Sequence, residues 1–474
     1  MKIEQLYTNC LAQGAYYIES DGEAAIIDPI REVDQYVKLA ESRGAKIKYI
    51  FETHFHADFV SGHVDLSKLT GAPIIYGPTG MKTGFECIIG SDGQQFKLGS
   101  CTISLLHTPG HTTESSCYLF SDEDGKASAI FTGDTLFIGD VGRPDLAQHV
   151  VADLTQEKLA GMLFDSLRNK IMPLDDQIIV YPAHGAGSAC GKNMSKETSD
   201  TLGHQKATNY ALRADMTKDE FIKELLNGLT PPPGYFPKNV LMNINGYEDI
   251  DSVLAQASKS YTAEEVEAMQ KDNSILLLDT RSADDFKTGF IPGSINIGLK
   301  GSFAVWAGTV IKDINQKIVL ISDPGTANEA ALRLARVGYD HCIGYLEGGI
   351  STWKDAGKTL DTIPSIDVDT LANLINADPH TPILDVRKNS EFETEHIVNA
   401  INAPLDYING PEIKIDQAQT VYVHCAAGYR SMAYISILRK RGYTNLVDVN
   451  GGYGAIKKSG KFNTTQFVAP ITML

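Results

Sequence analysis

A repeat in the second half of the chain constrains its fold more than any other feature. The segment Leu-Leu-Asp-Thr-Arg at 277–281 recurs as Ile-Leu-Asp-Val-Arg at 383–387, so that Asp279 and Asp385 stand 106 residues apart. Further matches follow in the same order, at 290–296 and 396–402, at 337–339 and 441–443, and at 347–349 and 450–452. A period of this length is a whole domain and not a unit of a solenoid. The second half therefore predicts two domains of the same fold.

Short apolar strands alternate with helical stretches in both copies. The runs at 275–278, 319–321 and 421–423 have the length and apolar character of buried strands. This alternation is typical of a parallel sheet with crossover helices. We therefore predict an α/β multidomain protein with domains at 1–250, 251–360 and 361–474. The breaker-rich segment at 231–237 is either a linker or a structured loop near the site described below.

Composition limits the functions to be considered. The length of 474 residues predicts about three domains, and 43% hydrophobic with 21% charged residues is typical of a globular protein. A formal net charge of −17 disfavours nucleic acid and anionic membrane surfaces as partners. No apolar run reaches the ~20 residues of a spanning helix. Seven scattered cysteines without a Cys-x-x-Cys pair, and an N-terminus without a signal-peptide core, predict a cytoplasmic protein.

Four short segments in the first half contain candidate metal ligands. These residues are His54, His56 and Asp58 in the first segment, followed by His111, Asp134 and His184 in the other three. The first segment comes directly after the apolar run at 47–51, which places it on a loop leaving a strand. His111 and Asp134 each follow a glycine, which allows a sharp backbone turn. Two histidines and one carboxylate with open positions suit non-haem Fe(II) and O2 chemistry, while a zinc hydrolase needs the same residues with a bound water.

In this order, the segments resemble the metallo-β-lactamase fold, whose first metal loop reads His-x-His-x-Asp-His. Here Phe59 stands at the last position, and a phenyl ring has no lone pair to offer a metal. The resemblance implies an N-terminal αββα sandwich with a mononuclear site, holding one Fe(II) per chain. Its ligands would be the loop of His54 and His56 together with His111 and Asp134. Which histidine of the loop binds directly stays open, with His54 favoured.

The same resemblance implies supporting roles for residues around the metal. Asp58 and His184 would lie behind the ligands or would remain from a second metal site. Arg143 matches the family's Gly-Arg-x-Asp segment and would steady the iron loop or bind the carboxylate of a thiol, unless it only forms a surface salt bridge. Tyr181 and Lys192 are close to His184 in sequence and are further candidates for contacts with the thiol.

A cysteine loop in the third domain carries a second chemistry. Cys425 and Arg430 bound the sequence Cys-Ala-Ala-Gly-Tyr-Arg, which follows an apolar strand and precedes a helix. The residues predicted to contact substrate there are Ala426, Ala427, Gly428 and Tyr429. Backbone N–H groups and a helix N-terminus aimed at a sulfur lower its pKa and bind anions. A thiolate in such a loop can carry a sulfane sulfur atom as a persulfide.

The length of this loop separates two classes of enzyme. Cysteine phosphatases use a Cys-x5-Arg loop, whereas four residues lie between Cys425 and Arg430. The shorter loop resembles that of the rhodanese sulfurtransferases, and the segment at 383–387 does so as well. In the middle copy, alignment of the repeat puts Asp323 at the nucleophile and Asn328 at the arginine. This predicts an inactive rhodanese-like domain that serves spacing, docking or assembly.

A mononuclear metallo-β-lactamase domain, an inactive rhodanese and an active rhodanese, in that order, resemble the persulfide dioxygenase–rhodanese fusions of bacterial sulfide detoxification. The resemblance implies that a low-molecular-weight thiol persulfide is oxidised by O2 to sulfite, and that Cys425 passes sulfane sulfur to sulfite to form thiosulfate. It also leads us to expect a homo-oligomer. The thiol stays open among coenzyme A, glutathione, bacillithiol and cysteine.

Two alternatives remain. One is a binuclear-zinc thioester hydrolase similar to glyoxalase II, fused to a sulfurtransferase, and Phe59 argues against it because the second zinc would lose a ligand. The other is a non-catalytic sulfur carrier with a structural metal. Structural sites are normally closed by four protein ligands, whereas this set leaves open positions.

Overall fold

In a computed structural model, the chain is described over residues 1–146, 154–410 and 415–470. It forms two compact units, of which the first comprises Met1–Ile250 and the second most of the chain from Asp251 onward. Over these described ranges, no helix combines the length and the apolar character that a membrane crossing requires.

The first unit contains two six-stranded sheets. Their strands are β1 (Lys2–Thr8), β2 (Gln13–Ser20), β3 (Glu23–Ile27), β4 (Lys46–Phe51), β5 (Ile74–Tyr76), β6 (Ile88–Ile89), β7 (Gln95–Leu98), β8 (Cys101–His107), β9 (Ser116–Ser121), β10 (Ala127–Gly133), β11 (Ile179–Pro182) and β12 (Asp200–Thr201). The first sheet has the order β1 to β6, antiparallel up to β3 and parallel beyond it. The second has the order β12 to β7 and is antiparallel except between β10 and β11.

Helices flank these sheets. They are α1 (Asp34–Ser42), α2 (His63–Thr70), α3 (Gln156–Ser166), α4 (Leu202–Thr208), α5 (Lys218–Leu226) and α6 (Phe236–Asn245), with a π-helical turn at Leu167–Ile171 and a 3-10 turn at Tyr210–Leu212. Helices α1 and α2 contact β4 on one side, and α3 and α5 pack with the second sheet on the other. Between the sheets, Phe51 and Ile75 meet Tyr118 and Phe131 in one buried core. The predicted αββα sandwich is confirmed.

The second unit contains two parallel five-stranded sheets. The strands are β13 (Ser260–Tyr261), β14 (Ile275–Asp279), β15 (Ile295–Asn296), β16 (Lys317–Ile321), β17 (Cys342–Leu346), β18 (Ser365–Ile366), β19 (Ile383–Asp385), β20 (Ile401–Asn402), β21 (Val421–His424) and β22 (Leu446–Val449). One sheet has the order β13-β17-β16-β14-β15 and the other β18-β22-β21-β19-β20, so the two copies share one topology. The predicted pair of parallel α/β domains is confirmed.

The helices of the second unit connect these parallel strands. They are α7 (Ile250–Ala257), α8 (Ala263–Gln270), α9 (Ala283–Thr288), α10 (Phe303–Val310), α11 (Ala327–Ala335), α12 (Gly349–Asp355), α13 (Val368–Ala377), α14 (Asn389–Thr394), α15 (Tyr429–Lys440) and α16 (Gly452–Ser459), with a 3-10 turn at Leu405–Tyr407. The repeated Asp-x-Arg segment has the same structural role in both copies. Arg281 pairs with Asp279 and Arg387 pairs with Asp385, and each arginine also donates to a carbonyl eight residues further on. These buried pairs fix the loop that follows β14 in one sheet and β19 in the other.

Candidate functional site

Three predicted metal ligands meet where strands of the first unit end. His54 follows β4, His111 lies between β8 and β9, and Asp134 directly follows β10. Nε2 of His111 lies 3.3 Å and Nε2 of His54 lies 4.0 Å from Oδ2 of Asp134. The ligand atoms of all three residues fall within 4.8 Å of one another, and the side chains are buried. Of the four ligands predicted from the sequence, which are His54, His56, His111 and Asp134, the structure brings these three together.

Hydrogen bonds fix the orientation of both histidine rings. Oγ1 of Thr53 donates to Asp28 at 2.8 Å, so its lone pair is left to accept from Nδ1 of His54 at 3.0 Å. Nδ1 of His111 lies 2.8 Å from the carbonyl oxygen of Arg143, which can only accept. Both rings therefore carry the proton on Nδ1 and keep a lone pair on Nε2. Burial, with the neighbouring histidines, holds the pKa of His54 well below its usual value, so this ring is neutral as a metal ligand must be.

Glycines allow the ligand loops to approach this closely. A Cβ at Gly142 would lie 2.0 Å from the carbonyl oxygen of Asp134 and 2.9 Å from Nδ1 of His111. A Cβ at Gly133 would lie 2.6 Å from Thr53, and Gly133 has a φ of +51°. Side chains at these two positions would separate the loops that bring the ligands together.

His184 and Asp58 lie on the other side of Asp134. Nε2 of His184 is 3.4 Å from Oδ2 of Asp58 and 3.6 Å from Oδ1 of Asp134. Cys190, which the sequence analysis missed, also offers its sulfur within 4.8 Å of Asp134 and His184. Burial, reinforced by Asp58 and Asp134, holds the pKa of Cys190 well above its usual value. Nothing in the sequence marked this cysteine, because it belongs to no spaced cysteine pair.

His56 is drawn away from the three-ligand set. Its Nε2 lies 3.1 Å from Asp28 and 3.4 Å from Glu52, both buried. Burial opposes a charge on this ring, but the two carboxylates outweigh it and raise the pKa of His56 to about 9. Phe59 packs against the ring of His56 with centroids 4.4 Å apart. Between the two loop histidines, the geometry therefore favours His54 as the ligand, and the assignment itself remains a prediction.

Unpartnered buried atoms support a cation at this site. Across the described residues, both carboxylate oxygens of Asp134 and Nε2 of His184 are buried without a hydrogen-bond partner. An unpaired buried carboxylate is costly, and a divalent cation would remove that cost. Two histidines, one carboxylate and open positions fit non-haem Fe(II), and they also fit a catalytic zinc.

Asn243, from a distant part of the sequence, holds the loop of residues 54–61, called the metal loop below. Its Nδ2 donates to the carbonyl oxygens of His56 at 2.8 Å and Phe59 at 2.9 Å, and its Oδ1 accepts from the amide of Ser61 at 2.9 Å. Asn243 lies on α6 and is 0% exposed. The proline-rich segment at 231–237 therefore leads into a helix that contacts the metal loop, and it is not a mere linker.

Three residues proposed to contact a thiol have structural contacts of their own. Arg143 forms an ion pair with Asp145, with two nitrogen–oxygen distances of 2.6 Å. Both side chains are buried, so the salt bridge exists but is not on the surface. Lys192 donates to two backbone carbonyls at the end of α5, at 2.6 and 3.0 Å. Tyr181 stacks on Phe131 with centroids 5.4 Å apart. Contact of these residues with a thiol substrate remains a prediction.

In the second unit, Cys425 directly follows β21 and faces the start of α15. The amide of Gly428 donates to its sulfur at 3.1 Å, and Gly428 has a φ of +104°. Ser431 lies 3.7 Å from the same sulfur and donates to Asp448 at 2.8 Å. Burial raises the pKa of Asp448 to about 6. Substrate contacts by Ala426, Ala427 and Tyr429 remain predictions.

Arg430 is paired with a carboxylate that the sequence analysis missed. Its guanidinium donates to Glu391 through two contacts of 2.5 and 2.8 Å. Burial alone would lower the pKa of Arg430, but Glu391 outweighs this and, with Cys425 adding to it, raises the pKa. An anion that binds at Cys425 must therefore share Arg430 with Glu391.

The loop of the middle copy that corresponds to the cysteine loop starts one residue earlier in the sequence than predicted. Strand β16 ends with Ile321 opposite Asp279, and β21 ends with His424 opposite Asp385. The next residue in the middle copy, at the position of Cys425, is therefore Ser322. The prediction that Asp323 takes the nucleophile's position is wrong, because strand pairing sets the register of the loop.

Two glycines confirm this alignment. Gly325 stands three residues after Ser322 with a φ of +82°, as Gly428 stands three residues after Cys425 with a φ of +104°. The arginine position then falls on Ala327 and not on Asn328. A serine hydroxyl is not a sulfur carrier and alanine cannot bind an anion, so the prediction of an inactive copy now depends on Ser322 and Ala327.

Comparison with known proteins identifies the families. Residues 9–184 match the Metallo-beta-lactamase superfamily, and residues 262–356 and 367–459 match the Rhodanese-like domain. A crystal structure of a metallo-beta-lactamase from Staphylococcus aureus subsp. aureus COL is 31% identical with a TM-score of 0.64, and the match covers 73% of this chain and 98% of that one. The chain therefore belongs to the metallo-beta-lactamase superfamily. Two rhodanese-like domains follow its metallo-β-lactamase domain.

Two curated relatives are hydroxyacylglutathione hydrolases. The cytoplasmic protein of Arabidopsis thaliana is 33% identical over 147 residues, which are 30% of this chain and 56% of that protein. The protein of Francisella tularensis subsp. holarctica (strain FTNF002-00 / FTA) is 31% identical over 185 residues, which are 39% of this chain and 68% of that protein. The match thus spans little more than half the length of the Arabidopsis relative.

Proposed function

We propose that this protein is a non-haem Fe(II) persulfide dioxygenase coupled to a sulfurtransferase. It would oxidise a low-molecular-weight thiol persulfide with O2 to sulfite and pass sulfane sulfur to sulfite, giving thiosulfate. The observation that carries the proposal is the compact set of His54, His111 and Asp134, with a phenyl ring at position 59. The cysteine loop on the same chain supplies the partner chemistry.

In this proposal, His54, His111 and Asp134 hold one Fe(II) per chain. Bound Fe(II) would supply the place at which the persulfide and O2 react. Other residues of the chain would hold the ligands in position. The carbonyl oxygen of Arg143 orients His111, and Asn243 fixes the loop that begins at His54 by hydrogen bonds. The burial of all three ligands keeps bulk water away from the reacting groups.

The second reaction takes place at Cys425. Its thiolate attacks the outer sulfur of a persulfide R–S–SH, the S–S bond breaks, and the departing RS⁻ takes the proton. Sulfite then attacks the outer sulfur of the Cys425 persulfide, forms thiosulfate and restores the thiolate. The amide of Gly428 and the start of α15 stabilise negative charge on the sulfur in both steps.

A zinc thioester hydrolase is the second candidate. Asp58 and His184 remain beside Asp134, and their ligand atoms lie within 4.8 Å of a ring nitrogen of His56, so protein donors of a second metal position are still in place. The curated relatives named as hydroxyacylglutathione hydrolases favour the same candidate. Against it, Phe59 provides no donor, and His56 is held by Asp28 and Glu52.

Metal content and O2 uptake separate the two candidates. The full chain is purified without O2, its metals are measured, and O2 uptake is followed with the persulfides of coenzyme A, glutathione, bacillithiol and cysteine. We expect one iron per chain and persulfide-dependent O2 uptake. His111→Ala should lose both, while transfer of sulfur from thiosulfate to a thiol continues. Two zinc ions per chain with thioester hydrolysis and no O2 uptake would refute the proposal.

The Cys425→Ser variant tests the coupling of the two reactions. The hydroxyl stays protonated near neutrality and cannot carry sulfane sulfur, while the iron ligands are unchanged. O2 uptake should continue, and sulfite should accumulate in place of thiosulfate. Release of thiosulfate at the wild-type ratio, with non-enzymatic exchange excluded, would contradict the coupled reaction.

A further inference from the structure

The helix that starts in the cysteine loop is attached along its length to the middle copy. α15 begins with Tyr429, directly after Gly428. In its first turn, the hydroxyl of Tyr429 donates to the carbonyl oxygen of Gly298 at 2.7 Å. In the middle of the helix, the buried Ser436 accepts from the amide of Asn296 at 2.9 Å. Gly298 and Asn296 both belong to the middle copy, at β15 and just after it.

The last turn of α15 continues the same contact. One guanidinium nitrogen of Arg439 lies 2.6 and 2.8 Å from the two carboxylate oxygens of Asp361. Asp361 is itself joined to Phe290 of the middle copy by backbone hydrogen bonds of 2.9 and 3.0 Å. Lys440 donates to the carbonyl oxygen of Gly293 at 3.1 Å. The helix that presents Gly428 to Cys425 is therefore held by the other copy from its first turn to its last.

The fit around Tyr429 is tight at position 298, so a side chain there would require its neighbours to move by a few tenths of an ångström. A Cβ on Gly298 would lie 3.2 Å from Cε2 of Tyr429 and 3.3 Å from the carbonyl oxygen of Arg281. That carbonyl is fixed in turn by the side-chain amide of Asn296 at 3.0 Å. A Cβ on Gly301 would lie 3.8 Å from the same ring atom. The segment 296–301 thus forms a fixed seat for the tyrosine ring.

We propose that the middle copy positions the sulfur-transfer loop of the third domain. Tyr429 is the residue next to Gly428, whose amide lies 3.1 Å from the sulfur of Cys425. A ring that leaves its seat on Gly298 takes this amide and the first turn of α15 with it. Tyr429 and Gly298 are therefore positioning residues for the cysteine. This inference rests on the sulfur-transfer half of the proposed function and is independent of the metal centre.

The positioning role explains how a copy without a nucleophile can serve the reaction. The middle copy has Ser322 and Ala327 at the positions of Cys425 and Arg430, and the proposed role requires neither a thiol nor a guanidinium there. It requires only the backbone of 296–301 and the small residue at 298.

The test measures the thiol pKa of Cys425 in the full-length protein. The ultraviolet absorbance of the thiolate is titrated in each variant, and the titration of the same variant carrying Cys425→Ser is subtracted. Gly298→Ala and Gly298→Val lie in the middle copy and push on the ring, whereas Tyr429→Phe keeps the ring and removes the hydroxyl. Gly289→Ala is the matched control, because its Cβ would only touch Leu360 at 3.4 Å and its φ of 174° suits any residue.

We expect the three test variants to raise the Cys425 pKa by about half a unit or more, which means about threefold less thiolate below the midpoint. Sulfur transfer from thiosulfate to cyanide should fall in parallel, and the control should match the wild type in both measurements. A purely structural role would lower the unfolding temperature and leave the pKa in place. A folded Gly298→Val protein with the wild-type pKa of Cys425 and the wild-type transfer rate would overturn the inference. If the valine variant does not fold, the same result in Tyr429→Phe would overturn it. A wild-type protein without any sulfur transfer, but with the expected pKa shifts, would instead refute the proposed function alone.

Discussion

Asn243 gives the sharpest test of how the metal loop is held. Its side chain is 187 and 184 residues away in sequence from the two carbonyl groups that it binds, and it also accepts from the amide of Ser61. Asn243→Ala would leave three buried backbone groups without a partner. Even at about 1 kcal/mol for each group, the low end for a buried unsatisfied group, the loss is about 3 kcal/mol. This corresponds to a factor of roughly 100 in the equilibrium for opening the loop.

Hydrogen exchange of the segment 53–62 and competition with an iron chelator measure this loss. We expect faster exchange and weaker iron binding in Asn243→Ala. Asn243→Asp should be no better, since one carboxylate oxygen would then face the carbonyl groups of His56 and Phe59. Asn239→Ala is the matched control one turn earlier on α6, because neither amide atom of Asn239 has a partner among the described residues. Wild-type exchange and iron affinity in Asn243→Ala would refute the assigned role.

Two further predictions concern the third domain. Burial raises the pKa of Asp448 from 3.8 to about 6, so the folded state keeps a proton that the unfolded state has lost, and stability falls as pH rises through 6. Asp448→Asn should therefore stabilise the protein by up to about 3 kcal/mol near pH 8 and not near pH 4, and calorimetry showing equal effects at both would contradict this. Glu391→Gln should lower the KM for thiosulfate several-fold with little change in kcat, because Arg430 is then freer to bind the anion, and steady-state kinetics with an unchanged or higher KM would refute it.

The sequence predicted the architecture well because its signals are local. The apolar runs at 275–278 and 421–423 became the strands β14 and β21 within a residue or two of their expected ends. The repeated Asp-x-Arg segment marked both copies because each arginine must pair with its own buried aspartate. The candidate metal ligands were visible for the same reason, since each lies in a short segment directly after a strand.

Contacts between distant segments were not visible. Asn243 and Glu391 look like ordinary polar residues of helices, and only the folded chain brings one to the metal loop and the other to Arg430. The shift of one residue at Ser322 has a related cause. The distance in sequence from Asn296 to Ile321 is three residues longer than that from Asn402 to His424. The spacing of the repeat alone therefore does not fix the loop, whereas strand pairing does.

Phe59 affects two potential donors to a second metal, the one at its own position and His56. The sequence shows only that Phe59 offers no lone pair. The structure shows in addition that its ring lies on His56, whose Nε2 is directed to Asp28 and Glu52. A second metal would therefore lack the donor at position 59, and it would have to compete with two carboxylates for His56. Asp58 is then left facing His184 beside the three-ligand set, where we propose a single iron.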